Sequence, residues 1–133
     1  LKRMDLSAVT WLMLNETEGR EITGEPEPDR ITDCLLQRYP DMRVVLTLGE
    51  KGAVYRDRAE YLRQPAFPVR AVDTTAAGDT FTGYFIAAAA EGKKCGEALK
   101  LAAAAASLAV SRQGAAVSIP ERAQVEDMIQ NAE

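Results

Sequence analysis

The chain has 133 residues, 27% of them charged and 47% hydrophobic, which is the size and composition of one domain with a real core. Its formal net charge of −4 provides no basic surface, so nucleic acid and anionic membranes are excluded as expected partners. It contains no histidine, which excludes Ser-His-Asp and Cys-His catalysis and leaves Asp, Glu and Lys to transfer protons.

The sequence shows no targeting or membrane signal. Its longest apolar run, residues 101–110, is short and mostly alanine, so we expect a cytoplasmic protein. Cys34 and Cys95 fit no metal-ligand spacing and are expected to be reduced thiols in helices. The chain begins with Leu1 and a strand pattern follows almost at once, so we expect a fragment.

Residues 8–14 form a β-rich apolar run typical of a buried strand. Asn15 and Glu18 follow it directly. Because the carboxyl ends of parallel strands face the ligand crevice, these two side chains could reach a metal-bound phosphate through water. The same spacing is that of a helix N-cap and its capping-box partner, which the spacing alone favours.

The middle of the chain predicts a helix over residues 29–39, then buried strands at 43–48 and 53–56. The turn between these strands holds Gly49 and Gly52. Since it joins two strands, and since no G-x-x-x-x-G-K-[ST] motif occurs, a P-loop enzyme is excluded. Short extended segments at 60–63 and 67–71, broken by prolines, suit a sheet edge.

Residues 72–83 predict a tight turn leading into the N-terminus of a helix. The uncovered amides of Ala76, Ala77 and Gly78, together with the helix dipole, favour an anion there. Asp79 follows, where a carboxylate suits a base that takes a proton from a nucleophile attacking a phosphate. The alternative is an ordinary helix cap. Further helices are predicted at 81–91, 96–111 and 121–129.

The segment Asp73-Thr74-Thr75-Ala76-Ala77-Gly78-Asp79-Thr80-Phe81 resembles the second signature of the ribokinase (PfkB) family of carbohydrate kinases. The resemblance covers almost the whole chain and corresponds to the C-terminal half of such a kinase. It implies an α/β fold, a three-layer ribokinase-like (Rossmann-like) sheet with flanking helices. Residues 1–133 would then be the C-terminal nucleotide-binding and catalytic part.

The resemblance also implies roles for individual residues. Asp79 would be the catalytic base and contact the substrate, and the amides of residues 76–79 would form the anion hole. Asn15 and Glu18 match the Asn-x-x-Glu that organises magnesium and phosphate in the family, with Glu18 acting through water. The run Thr-Leu-Gly-x-Lys-Gly resembles a nucleotide-contacting turn, which assigns nucleotide contacts to Thr47, Gly49, Lys51 and Gly52. Alternatively, the Lys51 side chain is simply solvated and makes no nucleotide contact.

A monovalent cation site is implied as well. In the family, the segment after the 96–111 helix wraps such an ion together with the region of the Asp signature. The matching positions are Asp73, Thr75, Ala109, Arg112, Gly114 and Ser118. Without the resemblance, Asp73 as a turn cap and Gly114 as a helix end explain these residues nearly as well.

The function that the resemblance implies is ATP-dependent phosphorylation of a sugar hydroxyl, with Mg²⁺ and K⁺ as cofactors and ATP and a small sugar or nucleoside as substrates. Fructokinase, adenosine kinase and deoxygluconate kinase are alternative activities within the family. A fragment that binds a nucleotide but catalyses no reaction is a further alternative. The groups that select the sugar, and any homo-oligomer contact, are expected in the N-terminal half. The fragment alone is therefore expected to be inactive.

Overall fold

The computed structural model describes residues 11–72, 74, 77–111 and 120–132. The chain divides into two compact units, Leu1–Arg63 and Gln64–Glu133. Among the described residues, the first unit contains a sheet and two helices, and the second contains three helices. The architecture is α/β, as predicted.

The first unit is built around a four-stranded mixed sheet of order β1-β2-β3-β4. Strands β1 and β2 are parallel, whereas β2 and β3 are antiparallel. A parallel pair needs a crossover connection, and two helices provide it. The elements in chain order are β1 (Trp11–Asn15), α1 (Glu16–Thr23), α2 (Pro28–Arg38), β2 (Arg43–Thr47), β3 (Ala53–Arg56) and β4 (Tyr61–Gln64).

Alternate strand residues form the core of this unit, as the two-residue period of a strand requires. One face of the sheet packs against Ile31 and Leu35 of α2, both of them fully buried. The strand residues in this cluster are Leu12, Leu14, Val44, Leu46 and Val54. Val45 and Tyr55, whose positions alternate with these, are also buried. Both faces of the central strands are therefore buried, as their continuous apolar sequences predict.

The turn between β3 and β4 is closed by Asp57. Its carboxylate accepts hydrogen bonds from the Tyr55 hydroxyl at 2.6 Å and from the backbone N–H groups of Ala59 at 2.8 Å and Glu60 at 2.7 Å. Burial acts to raise the pKa of Asp57, but these hydrogen bonds favour the ionised form and hold the pKa below its usual value. The ionised side chain therefore orders the turn.

Helix α1 was predicted only at its start, through the capping-box spacing of Asn15 and Glu18, and its extent over residues 16–23 was not. It buries only Gly19, so its sequence lacks the apolar stripe by which helices are recognised. Both of its ends carry local signals nonetheless. Asn15 caps the N-terminus, and Gly24 ends the helix with a φ of 77°, a left-handed conformation that suits glycine.

The second unit contains α3 (Ala77–Ala90), α4 (Cys95–Val110) and α5 (Arg122–Ala132). Helix α4 packs against both of the others. Its buried positions are mostly alanine, including every residue from Ala102 to Ala105. Glu91 and Arg122 form a two-pronged ion pair, with both N···O distances 2.9 Å, between the residue after α3 and the start of α5.

Residues 67–71 do not form the predicted edge strand. Proline residues at 65 and 68 provide no N–H donors, and the neighbouring donors bond to helix α4 instead. Phe67 N–H donates to Ser107 Oγ at 3.1 Å, and Val72 N–H donates to the Val110 carbonyl at 2.8 Å. The segment therefore runs along a helix, not a strand.

Two further observations bear on the sequence analysis. Cys34 in α2 and Cys95 at the start of α4 are free cysteines in helices, as predicted. Within the described part of the chain, no helix combines the length and apolar character needed to cross a bilayer.

We predict that Gly19→Ala destabilises the protein. The added Cβ would lie 2.9 Å from Ile31 Cγ2 and 3.4 Å from Leu46 Cδ1, and Ile31 is fully buried and cannot withdraw easily. Overpacking of this kind costs about 1–3 kcal/mol, which exceeds the gain in helix propensity of about 1 kcal/mol. Chemical denaturation of the full-length protein measures the change. Thr17→Ala, at an exposed position of the same helix, should cause no loss, and equal stability of the two variants would contradict the packing argument.

Candidate active site

The first group of candidate residues lies at the carboxyl end of β1. Asn15 Oδ1 accepts a hydrogen bond from Glu18 N–H at 2.8 Å, and Glu18 Oε1 accepts one from Asn15 N–H at 3.0 Å. This is a complete capping box, so the structural alternative from the sequence is confirmed. A carboxylate has a second oxygen and further lone pairs, so the cap does not prevent a water-mediated role for Glu18.

Thr47 lies beside this cap because of the strand register. Asn15 is the parallel partner of Thr47, which in turn is paired with Ala53 on β3. The 3₁₀ turn Gly49–Lys51 begins two residues after Thr47. The structure therefore brings the Asn15–Glu18 cap, Thr47 and the turn to one edge of the sheet.

The turn after β2 requires both of its glycines. Gly49 has a φ of 61° and Gly52 a φ of 104°, values that side-chain-bearing residues rarely adopt. Gly52 N–H donates to the Gly49 carbonyl at 3.1 Å, and the Gly52 carbonyl accepts from Leu48 N–H at 2.8 Å. Both backbone groups of Gly52 are thus used inside the turn. Lys51 is exposed. Nucleotide contacts by these residues stay a prediction.

The second group lies on the first turn of α3. Gly78 and Asp79 are exposed there, and a Cβ added to Gly78 would meet no described atom within 4 Å. Gly78 is part of a helix, so neither backbone conformation nor packing against the described residues demands a glycine. A glycine in such a place leaves its backbone open to close approach by a ligand. The first N–H groups of a helix have no acceptor within the helix, so this turn suits an anion.

The amide of Ala77 has a partner in this structure. Its N–H donates to the Thr74 carbonyl at 3.2 Å, which closes the turn that leads into α3. Ala76, the other alanine of the predicted anion hole, lies outside the described residues. The anion hole stays a prediction, and Gly78 and Asp79 are its exposed residues within the described part of the chain.

Thr80 is a residue of this turn that the sequence analysis did not single out. Its side chain is buried, and Thr80 Oγ1 has no hydrogen-bond partner among the described residues. Buried hydroxyls are usually bonded, so an orphan beside Asp79 is unusual. No sequence signal could have identified it, because burial of a single threonine depends on tertiary packing.

Most of the predicted monovalent cation site lies outside the described residues: Asp73, Thr75, Arg112, Gly114 and Ser118. Ala109 is described, and it is buried in the last turn of α4. The hydrogen bond from Val72 N–H to the Val110 carbonyl joins the residue before Asp73 to the end of the same helix. The flanks of the predicted site are thus held together.

The acidic residues of the described chain form no group of three or more that could hold a metal ion. Glu18 offers one carboxylate at this edge of the sheet, and Glu50 lies in the neighbouring turn. Mg²⁺ keeps several waters in its coordination shell and is commonly held by one or two carboxylates and by substrate phosphates. A water-mediated contact from Glu18 fits an ion held in that way, and the described residues offer no larger acidic cluster for an all-protein site.

A comparison with protein families places the whole chain. The model for "pfkB family carbohydrate kinase" matches residues 2–122, which include both groups of candidate residues. The chain belongs to this family of carbohydrate kinases.

Curated members of the family resemble the chain over nearly its whole length. The Bacillus subtilis ribokinase is 37% identical over 129 residues, which are 97% of this chain and 42% of that protein. The Schizosaccharomyces pombe ribokinase is 44% identical, over 91% of this chain and 41% of its own length. The chain thus spans about two-fifths of the length of the relatives it matches.

Solved structures show the same relationship. The Arabidopsis thaliana ribokinase complexed with ribose and ATP has a TM-score of 0.86 at 37% identity, covering 94% of this chain and 42% of that one. A protein assigned as ribokinase II of E. coli, in complex with ATP and Mg²⁺, also has a TM-score of 0.86, at 30% identity, and covers 95% of this chain and 41% of that one. The predicted ribokinase-like fold is confirmed.

Proposed function

We propose that the full-length protein transfers a phosphoryl group from ATP to a hydroxyl of a small sugar, with Asp79 as the general base. The observation that carries this proposal is the exposed Asp79 carboxylate on the first turn of α3, directly after Gly78, whose open side admits a ligand. Residues 1–133 would supply the nucleotide-binding and catalytic part.

Asp79 would accept the proton of the sugar hydroxyl as that oxygen attacks the γ-phosphorus of ATP. The bond between the γ-phosphorus and the oxygen that bridges it to the β-phosphate breaks, and ADP leaves. The first-turn amides of α3, with Gly78 the least obstructed, would stabilise charge on the transferring group. A carboxylate is suited to this place because it acts on the nucleophile and does not itself bind the phosphate.

The edge of the sheet in the first unit would hold the nucleotide. Asn15 and Thr47 are neighbours there through the strand register, and the Gly49–Lys51 turn follows. Lys51 provides a mobile positive charge for a phosphate, while Gly49 and Gly52 give the turn its shape. Asn15 and Glu18 are ordered by their mutual cap, so little conformational freedom remains to be lost on binding.

Mg²⁺ would be held chiefly by the phosphates of ATP and by water, with Glu18 contacting a bound water. When bound, the ion neutralises part of the charge on the phosphates. Support comes from the position of Glu18 on the first turn after β1 and from the E. coli relative, whose structure contains ATP and Mg²⁺.

A monovalent cation, K⁺, would lie between the Asp73 turn and the segment after α4. One carboxylate with neutral oxygens suits a large, weakly hydrated ion, and the residues we assign to it are Asp73, Thr75, Ala109, Arg112, Gly114 and Ser118. The Val72–Val110 hydrogen bond supports this assignment, because it brings the flanks of both segments together. The ion would order the turn before Ala77 and so orient the amides of the anion hole.

Ribose is the acceptor that we propose first. The A. thaliana relative is complexed with ribose and ATP, and ribokinases from B. subtilis and S. pombe match at 37% and 44% identity. A fructokinase from Zea mays matches at 32%, so other sugars belong in the same assay.

We predict that Asp79→Asn in the full-length protein lowers kcat by a factor of about 10²–10⁴ and leaves ATP affinity nearly unchanged. The amide keeps the shape of the side chain but cannot accept the proton in the transition state. Steady-state kinetics with ribose and an independent ATP-binding measurement check both halves. Asp127→Asn, an exposed carboxylate on α5, is the matched control. Turnover of the Asp79 variant within a few-fold of wild type would remove the base from the mechanism.

We predict that Glu18→Gln leaves the helix cap intact but weakens the binding of the Mg²⁺ on which activity depends. Glutamine keeps the side-chain carbonyl that accepts from Asn15 N–H, so unfolding free energy should change by less than about 0.5 kcal/mol. The Mg²⁺ concentration giving half-maximal activity should rise about tenfold, because the charge facing the ion is lost. Glu27→Gln is the control, since Glu27 is exposed and makes no side-chain cap bond. If the Mg²⁺ dependence of activity were unchanged, Glu18 would act only in the helix cap and would have no role at the metal.

We predict that replacing Na⁺ with K⁺ at constant ionic strength raises kcat of the full-length protein, and that Asp73→Ala abolishes the rise. Potassium fits a site of one carboxylate and neutral oxygens better than the smaller, more strongly hydrated ion does. The measurement is activity in the two salts for both proteins. Equal activity of the wild-type protein in the two salts argues against the ion.

A further inference from the structure

Buried serine and threonine hydroxyls in this protein have hydrogen-bond partners in two cases. Thr32 Oγ1 donates to the Asp29 carbonyl at 3.0 Å and accepts from Arg56 Nη1 at 3.2 Å. Ser107 Oγ accepts from Phe67 N–H at 3.1 Å. Both follow the rule that a polar group taken out of water is bonded within the protein.

Thr80 is the exception in the described part of the chain. It is 3% exposed, and its Oγ1 has no hydrogen-bond partner among the described residues. Its surroundings are apolar, because Phe81 and Phe85 are buried on the same helix and the buried positions of α4, which packs against α3, are mostly alanine. An unsatisfied buried hydroxyl lowers stability, so valine, which has nearly the same shape, would be more stable at this position.

The position of Thr80 indicates which group its hydroxyl can bind. Thr80 is the fourth residue of α3, which begins at Ala77. A threonine hydroxyl in a helix commonly bonds to the carbonyl four residues earlier. For Thr80, that carbonyl belongs to the peptide group that carries the Ala77 N–H, because each peptide group joins the carbonyl of one residue to the N–H of the next. A hydrogen bond from Thr80 would therefore fix the direction of the Ala77 N–H.

The Ala77 N–H is engaged away from the predicted anion hole in this structure. It donates to the Thr74 carbonyl at 3.2 Å, which is at the long end of the usual hydrogen-bond range. A peptide group is planar, so its N–H and its carbonyl turn together. A single small rotation can thus move the N–H away from Thr74 and bring the carbonyl to the Thr80 hydroxyl.

We propose that Thr80 is a positioning residue for phosphoryl transfer, an inference that rests on the proposed function. When ATP is bound, the Thr80 hydroxyl donates to the carbonyl of this peptide group and holds the Ala77 N–H toward the transferring phosphoryl group. The hydroxyl touches neither ATP nor the sugar and acts only through the amide. An oriented donor at this place stabilises the charge of the transition state. The stability lost to the unpartnered hydroxyl is thereby retained for function.

Three variants of the full-length protein test this role. Thr80→Val removes the hydroxyl, so it should melt at or above the wild-type temperature while kcat falls about tenfold and both KM values stay within about twofold. Thr80→Ser keeps the hydroxyl, so kcat should stay within about twofold although the lost methyl group lowers the melting temperature. Thr32→Val is the matched control, since it removes a partnered hydroxyl and should melt lower with unchanged kcat.

A second measurement needs no turnover. Inorganic phosphate is titrated into the ¹⁵N-labelled full-length protein, and the NMR signal of the Ala77 amide is followed. In the wild-type protein and in Thr80→Ser the signal should shift as phosphate binds at the start of α3. In Thr80→Val the same shift should need about tenfold more phosphate, because the amide is no longer held toward the anion.

A Thr80→Val variant with wild-type kcat, or with a wild-type phosphate response, would overturn the proposal. A loss of kcat that Thr80→Ser shares would also overturn it, because the methyl group would then be responsible. So would a marked fall in the melting temperature of Thr80→Val, since the hydroxyl would then be bonded in the free protein. If the wild-type protein phosphorylates no sugar, the proposed function fails, and the phosphate titration decides the role of Thr80 by itself.

Discussion

Parallel pairing of β1 with β2 is the constraint on which the first unit depends. It requires a crossover, which α1 and α2 supply, and it fixes the register in which Asn15 lies beside Thr47. A slip of one residue would turn Leu12 and Leu14 out of the core that they share with Ile31. The same burial that stabilises the sheet therefore positions the polar residues at its edge.

The buried strands and α2 were predictable because their apolar patterns are strong, and Pro28 and Gly24 mark the boundaries between helices. Helix α1 was predictable only at its N-terminal cap, since the rest of it has no apolar stripe and packs through one glycine against Ile31. From the sequence alone, a glycine that is required for close packing cannot be distinguished from one that is required for a turn.

The candidate site was predictable to a different degree. Gly78 and Asp79 were identified from local chemistry, and the structure places them on an exposed first helical turn. The Asn15–Glu18 spacing permitted both a cap and a phosphate role, and the cap is now observed. The hydrogen bonds that divert residues 67–72 to α4, and the buried hydroxyl of Thr80, could not be predicted, because both depend on contacts between residues distant in sequence.

The alanine row of α4 has a consequence for how α3 is held. Where two helices meet through alanines, the separation of their axes is set by main-chain atoms and methyl groups, which have no alternative rotamers. Long side chains at such a contact could reorganise and let the helices shift. The alanine positions that α4 buries therefore have no side-chain rearrangements available, so α3 and the turn that carries Asp79 pack against a helix whose surface is largely fixed.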